Sequence, residues 1–229
     1  MVIFILAGGL GTRLRSAISD VPKPLAPINN KPFLDYQIYH IKKYFPTTKI
    51  YLLTHYKSEK IENYYKNYSS ISVIRENQLL GTGGSILNAI KFLNLLPSDK
   101  LLVFNGDTYL EANLKEFISN SNSEISILSS FQEDCSRYGS LEIKNNLILD
   151  FKEKNKERKN NYINAGCYFF NNIAFFDNKK IQKFSLEEEF SIYLKKNKIG
   201  TYKYNGIFID IGIPDDYEKM KKYIGKNNG

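Results

Sequence analysis

The chain has 229 residues, of which 42% are hydrophobic and 24% are charged, the proportions of an ordinary soluble globular protein. No apolar stretch approaches the ~20 residues that span a bilayer, and the apolar start is too short for a signal peptide and lacks a basic lead. We therefore predict a cytoplasmic chain with no membrane partner. The two cysteines, Cys135 and Cys167, are not in metal-ligand spacing and predict free thiols.

The net charge of +8 raises the possibility of a nucleic-acid partner. Only five of the 32 basic residues are arginine, and the lysines are scattered among asparagines rather than grouped. Base readout and stacking favour arginine and exposed aromatic side chains. A solvated lysine-rich surface is the preferred interpretation, so we predict no nucleic-acid partner.

The first element is a five-residue apolar run, residues 2–6, with the length and composition of a buried parallel strand. Glycines at positions 8, 9 and 11 follow it, and Arg13 and Arg15 come directly after them. Such a turn presents backbone N–H groups and positive charge at the carboxyl edge of a sheet, which suits a polyphosphate. The spacing matches neither G-x-G-x-x-G nor a Walker loop, so a plain strand-to-helix turn stays an equal alternative for the glycines alone.

Strand and helix patterns alternate over the next hundred residues. Three prolines within residues 22–27 predict an extended segment that restricts Lys23, and Pro32 opens a helix with an apolar stripe. We further predict strands at 49–54, 71–75 and 101–104, and helices at 58–65, 86–95 and 113–119. Asp107 follows the last of these strands, where α/β sheets place their ligand crevice.

The second half mixes strands and helices. Asn145-Asn146 predicts a hairpin turn between strands 138–144 and 147–152, and further strands are predicted at 125–130, 162–170 and 199–211. Asn113 and Ser185 each begin a capping-box pattern at the start of a helix, and Pro214 opens another helix with Gly225 as its predicted cap. The fold class is thus α/β, with a doubly wound, mostly parallel Rossmann-like central sheet and a smaller mixed portion. We predict a single domain over 1–229, with a nucleotide-binding half at about 1–120 and a sugar-binding half at about 121–229.

Seven segments in this order resemble the sugar-1-phosphate nucleotidylyltransferases over nearly the whole chain. They are residues 6–14 (LAGGLGTRL), 22–25 (PKPL), 80–84 (LGTGG), 105–107 (NGD), 151–154 (FKEK), 164–166 (NAG) and 208–212 (FIDIG). The stretch 13–27 looks most like the branch of D-glycero-D-manno-heptose 1-phosphate guanylyltransferases. Members join a sugar 1-phosphate to a nucleoside triphosphate, giving an NDP-sugar and pyrophosphate.

The resemblance implies a role for each matching residue. Asp107 and Asp210 would hold Mg²⁺, Arg13 would hold the leaving phosphates, and Lys23 would neutralise the α-phosphate and the attacking oxygen. The nucleotide would be contacted by Leu6, Ala7, Gly8, Gly9, Gly11, Thr12, Glu76, Gly81 and Thr82. The sugar phosphate would be contacted by Gly139, Glu153, Lys154 and Asn164. Without the resemblance, a solvated hairpin lysine is the better interpretation of Lys154.

The branch implies GTP and D-glycero-alpha-D-manno-heptose 1-phosphate as substrates, in the synthesis of capsule or lipopolysaccharide precursors. By the resemblance, the base-facing position before the second glycine cluster falls on Glu76. A carboxylate can accept from guanine N1 and N2 together, so we hypothesise that Glu76 reads the base. A surface turn glutamate is an equally weighted alternative. Another nucleotidylyltransferase stays open, using mannose 1-phosphate with GTP, or UTP or dTTP with a hexose 1-phosphate. A second alternative that stays open is a non-catalytic, nucleotide-sensing relative of these enzymes. The complete set of charged site residues disfavours it. We predict a monomer or a homodimer.

Overall fold

The computed structural model describes residues 1–14, 18, 20–154 and 159–227. Arg15, the second arginine of the glycine turn, lies outside the described residues. The helices are α1 (Phe33–Tyr44), α2 (Ser58–Tyr65), α3 (Gly81–Phe92), α4 (Leu114–Ser119), α5 (Leu186–Tyr193) and α6 (Pro214–Asn227). The strands are β1 (Val2–Leu6), β2 (Pro27–Ile28), β3 (Lys31–Pro32), β4 (Ile50–Thr54), β5 (Ile71–Arg75), β6 (Leu101–Asn105), β7 (Thr108–Leu110), β8 (Ile125–Asp134), β9 (Ser140–Lys144), β10 (Leu147–Lys152), β11 (Lys159–Phe170), β12 (Ile199–Tyr204) and β13 (Phe208–Asp210).

The chain divides into two compact units, each assembled from separate segments. The amino-terminal unit comprises residues 3–79, 105–111 and 207–229, and the central unit comprises residues 1–2, 80–104 and 112–206. The mixed α/β class predicted from the sequence is confirmed. The assignment of nucleotide and sugar to a first and a second half stays a prediction. Across the described residues, no helix combines the length and the apolar character needed to cross a membrane.

In the amino-terminal unit, β1, β4 and β5 pair in parallel, in the order β5-β4-β1. Residues 3–5 of β1 and Ile50, Leu52 and Leu53 of β4 are buried, as the continuous apolar runs predict. A separate antiparallel pair joins β7 to β13, and its core includes Ile28 and Phe33 together with Ile209, Ile211 and Met220 from the far end of the sequence. Apolar burial thus holds three distant segments of the chain in one core.

The central unit contains a largely antiparallel sheet in the order β6-β11-β8-β12-β10-β9, in which β8 and β12 pair in parallel. The predicted hairpin is confirmed, because Asn145 and Asn146 have φ values of 51° and 57° between β9 and β10. Both predicted amino-terminal helix caps are also confirmed. The side chains of Asn113 and Ser185 accept hydrogen bonds from the backbone N–H of Glu116 and of Glu188.

Three local predictions are corrected. Helix α3 begins at Gly81, five residues before the predicted start at Ile86, so the glycine cluster forms its first turn. The segment around Lys23 is not extended throughout, since Lys23–Leu25 form a 3₁₀ turn, whose φ values proline satisfies as well. Gly225 lies inside α6 and does not cap it.

Candidate active site

A cationic side chain lies between two carboxylates in the amino-terminal unit. The Lys23 ammonium donates a hydrogen bond of 2.7 Å to Asp107 Oδ2, and its Nζ is 3.7 Å from Asp210 Oδ1. The exposed fractions of the side chains of Lys23, Asp210 and Asp107 are 11%, 19% and 39%. The structure therefore brings together three of the predicted site residues, in a cluster that is open to solvent on the side of Asp107.

Strand pairing explains how residues a hundred positions apart in sequence meet. In the β7–β13 pair, Asp210 is opposite Thr108, the residue after Asp107. The backbone N–H of Ile211 donates to the Asp107 carbonyl at 2.9 Å, and the N–H of Gly212 donates to Asp210 Oδ1 at 2.8 Å. The backbone thus fixes the approach of the two carboxylates.

The turn that carries Asp107 is held from two sides. A β-carbon on Gly106 would lie 2.6 Å from the Leu6 carbonyl oxygen, so only glycine fits this approach of the turn to the end of β1. On the other side, buried Gln37 of α1 donates from Nε2 to the carbonyl oxygens of Asn105 and Thr108, at 2.8 and 2.9 Å. Sequence reasoning missed Gln37, although a polar residue three positions after Leu34 on the apolar stripe was a signal for it.

The glycine loop, residues 7–13 after β1, lies next to Lys23 of this cluster. Ala7 is buried and donates its N–H to the Leu53 carbonyl, whereas Gly9, Thr12 and Arg13 are exposed. Gly11 has a φ of +59°, and a β-carbon there would lie 3.2 Å from the Lys23 β-carbon. The loop and Lys23 therefore pack directly against each other. Leu6 and Gly8, the other predicted loop contacts, are partly buried at the end of β1 and just after it.

Glu76 is 3% exposed and follows β5, with its backbone N–H donating to the Thr54 carbonyl at 2.8 Å. The alternative of a surface turn glutamate is therefore wrong. Its role in base recognition stays a prediction.

The remaining predicted residues belong to the central unit. Gly81 has a φ of +71°, and a β-carbon there would lie 2.6 Å from the Phe184 carbonyl oxygen. Thr82, in the first turn of α3, donates from Oγ1 to Glu187 Oε2 at 3.1 Å and accepts from the Leu186 N–H at 2.8 Å. These contacts join the start of α3 to the start of α5.

Three of the four predicted sugar-phosphate residues are chain neighbours of residues that pair across β9, β10 and β11. Ser140 of β9 pairs with Lys152 of β10 on one side and with Ile163 of β11 on the other. Gly139, Glu153 and Asn164 are the chain neighbours of these paired residues. If the antiparallel pairing continues by one position, Glu153 and Asn164 lie on either side of Gly139. Lys154, the fourth, follows Glu153, and both side chains are exposed.

Within the described part of the chain, no group of three histidine, cysteine, aspartate or glutamate side chains is arranged to hold a metal ion. Asp107 and Asp210 are a pair. Two carboxylates are the donor set of a hard cation that takes its other ligands from water and substrate oxygens. The two residues therefore fit such an ion.

The fold and these sites define the class of protein. The chain belongs to the nucleotidyl transferase family, whose model matches residues 2–227. It is a nucleotidyltransferase.

Two curated relatives are similar over nearly the full length of both chains, and both are named D-glycero-alpha-D-manno-heptose 1-phosphate guanylyltransferase. The relative from Aneurinibacillus thermoaerophilus is 37% identical, covering 98% of this chain and 98% of its own. The relative from Campylobacter jejuni is 38% identical, covering 95% and 97%. Among solved structures, HddC from Yersinia pseudotuberculosis complexed with GMP-PN is 36% identical with a TM-score of 0.81, covering 97% of this chain and 98% of its own.

Proposed function

We propose that this nucleotidyltransferase transfers GMP from GTP to D-glycero-alpha-D-manno-heptose 1-phosphate, giving GDP-heptose and pyrophosphate. The cluster of Lys23, Asp107 and Asp210 beside the glycine loop carries the proposal, because it supplies both a cation and a carboxylate pair for polyphosphate chemistry. The two relatives named for this activity, and the GMP-PN complex of the solved relative, support the choice of guanine and heptose.

In the proposed reaction, an oxygen of the sugar phosphate forms a bond to the α-phosphorus of GTP. The bond from that phosphorus to the bridging oxygen of the β-phosphate breaks, and pyrophosphate leaves with the electron pair. Lys23 neutralises the α-phosphate and the incoming oxygen, and Arg13 holds the β- and γ-phosphates as they gain charge. Asp107 and Asp210 would hold Mg²⁺, which when bound supplies further charge neutralisation on the phosphate oxygens.

The nucleotide is assigned to the backbone at the end of β1 and in the turn after it, and to three residues further along. The assigned residues are Leu6, Ala7, Gly8, Gly9, Gly11, Thr12, Glu76, Gly81 and Thr82. Glu76 is assigned to the base, because a carboxylate can accept from two donors on one base edge. Gly139, Glu153, Lys154 and Asn164 are assigned to the sugar phosphate. The pairing of Ser140 with Lys152 and with Ile163 supports this assignment, because Gly139, Glu153 and Asn164 are the chain neighbours of these three residues.

We place the protein in the cytoplasm as a monomer or homodimer, supplying a nucleotide-activated heptose for capsule or lipopolysaccharide synthesis. The free, buried state of Cys135 and Cys167 supports a reducing compartment.

The test is a matrix of pyrophosphate release with GTP, UTP, dTTP, CTP and ATP against heptose, mannose, glucose and N-acetylglucosamine 1-phosphates. GTP with the heptose 1-phosphate should give the highest kcat/KM, and chelation of Mg²⁺ should abolish turnover. Asp210→Asn should lose the Mg²⁺-dependent rate, whereas Asp177→Asn, at an exposed turn, should keep it. A higher kcat/KM with another pair would overturn the substrate assignment, and no turnover with any pair would overturn the proposed activity.

A further inference from the structure

A chain of side-chain hydrogen bonds in the central unit joins Thr82 to Asn164 through one carboxylate. Thr82 Oγ1 and Ser185 Oγ donate to Glu187 Oε2 at 3.1 and 2.9 Å. On the other carboxylate oxygen, the Tyr168 hydroxyl donates to Glu187 Oε1 at 3.0 Å. Asn164 Nδ2 in turn donates to the Tyr168 hydroxyl at 3.0 Å. Thr82 and Asn164, which the proposed function assigns to different substrates, therefore share one anchor.

The direction of every bond in this chain is fixed. An ionised carboxylate only accepts, so the Thr82, Ser185 and Tyr168 hydroxyls must all donate to Glu187. Thr82 Oγ1 also accepts from the Leu186 N–H, at 2.8 Å. At the opposite end, Asn164 Oδ1 accepts from the Gly166 N–H at 2.9 Å, so the amide is oriented with its Nδ2 toward Tyr168. Neither Thr82 nor Asn164 can rotate without breaking a bond.

The middle of this series of hydrogen bonds is shielded from solvent at Tyr168. Tyr168 is fully buried, its ring packs against Phe190, and Glu187 is half-buried. Burial, with the charge of Glu187 as a smaller cause, raises the pKa of Tyr168 well above its usual value, so its hydroxyl stays a donor. Hydrogen bonds to a charged acceptor are strong in such surroundings, and leaving one unmade is costly.

We propose that Glu187 is a positioning residue for both substrates, holding Thr82 for the nucleotide and, through Tyr168, Asn164 for the sugar. The proposal rests on the proposed function, which assigns Thr82 and Asn164 to those substrates. Glu187 touches neither substrate; it fixes the rotamers of the side chains that do, and binding then costs less ordering entropy. The seven segments that carry the family resemblance do not include Glu187 or Tyr168.

Two variants separate this role from a structural one. Glu187→Gln keeps the shape but removes one of the two acceptor oxygens, so the KM for each substrate should rise about tenfold. Tyr168→Phe keeps the buried ring and breaks only the branch to Asn164, so the KM for the sugar 1-phosphate should rise about fivefold while the KM for GTP stays within about twofold. In the double variant the KM for the sugar 1-phosphate should equal that of Glu187→Gln, because both substitutions break the same series of hydrogen bonds to Asn164.

The matched control is Glu188→Gln. Glu188 carries the same charge in the same first turn of α5, is exposed, and therefore reproduces any loss of charge at the helix start. Both KM values should stay within about twofold of the wild type, since exposed charges near a helix start are worth well under 1 kcal/mol in most cases.

The assay is steady-state pyrophosphate release, with thermal unfolding measured for every variant. If Glu187→Gln matches Glu188→Gln in both KM values, or if Tyr168→Phe raises both KM values equally, the positioning role is overturned while the proposed function stands. If Glu187→Gln does not fold, the positioning role is tested by Tyr168→Phe alone, through the rise of its KM for the sugar 1-phosphate compared with that of its KM for GTP. A wild type that uses a different substrate pair overturns the substrate assignment, and the variants are then measured with that pair. A wild type with no turnover overturns both proposals.

Discussion

Replacing Lys23 by methionine removes the ammonium that lies between Asp107 and Asp210. Methionine keeps most of the length of the side chain and its packing, so the charge is the main property lost. In the variant two carboxylates face each other in a partly buried cluster without the cation that lies 2.7 and 3.7 Å from them. We expect the folded state to become less stable and more responsive to divalent cations.

The magnitude follows from the exposure of the three groups. An exposed ion pair contributes about 0–1 kcal/mol, and removal of one partner from a buried pair costs about 3–5 kcal/mol. Lys23 and Asp210 are 11% and 19% exposed, but Asp107 is 39% exposed and well screened. An intermediate loss of about 2 kcal/mol is expected, which lowers Tm by about 4–8 °C in a chain of this size.

The assay is thermal unfolding without nucleotide, at several MgCl₂ concentrations. Lys152→Met is the matched control, because Lys152 also bridges two carboxylates, Asp150 at 2.7 Å and Glu142 at 3.1 Å, but all three side chains are at least 42% exposed. Its Tm should fall by less than about 2 °C. Mg²⁺ should raise the Tm of Lys23→Met more than that of the wild type, since it replaces the lost charge. Equal Tm values for the two variants, or an equal Mg²⁺ response, would refute this reasoning.

Four further predictions concern single residues. Arg13→Ala should lower kcat by about 10²–10³ in the pyrophosphate-release assay without changing Tm, and a loss under about fivefold would contradict its role. Glu76→Gln should lower kcat/KM for GTP relative to UTP, and an unchanged ratio would remove base recognition from Glu76. Gly81→Ala places a β-carbon 2.6 Å from the Phe184 carbonyl oxygen at a residue with a positive φ. The free energy of unfolding in urea should therefore fall by at least about 1–2 kcal/mol. Gly9→Ala is the control, because a β-carbon there has open space around it, and its stability should change little. Burial and the carboxylate of Asp35 raise the pKa of Tyr65. Above pH ~10 the unfolded chain therefore releases the Tyr65 proton before the folded protein does, and the free energy of unfolding falls by about 1.4 kcal/mol per pH unit. Tyr65→Phe should weaken this pH dependence in alkaline unfolding titrations.

Local chemistry made several elements predictable. The Asn145-Asn146 hairpin and the side-chain caps at Asn113 and Ser185 depend on a few adjacent residues, and the structure shows each as expected. The start of α3 could not be predicted in this way, because glycine disfavours helix by itself. Here the close packing of Phe184 and Gln182 on the first turn leaves room only for glycine, and that contact comes from a distant segment.

The candidate site shows the same division. The sequence order of the charged residues indicated which side chains to expect, but not that Asp210 is opposite Thr108, because the pairing of β7 with β13 has no local signal. Gln37 and Glu187 escaped prediction for a related reason. Each holds other residues in place through contacts far apart in sequence, at 68 and 105 positions for the bonds to Asn105 and Thr82.

The pairing of β7 with β13 can form only late in translation. Residues 207–227 complete the core of the amino-terminal unit, yet the ribosome makes them after all of the central unit. A nascent chain therefore presents Lys23 and Asp107 without Asp210, and the apolar cluster around Ile28 and Phe33 lacks its contacts with Ile209, Ile211 and Met220 until residues 207–227 emerge. Such late closure of long-range contacts is slow, so the amino-terminal unit is the part of this protein that we expect chaperones to protect during translation.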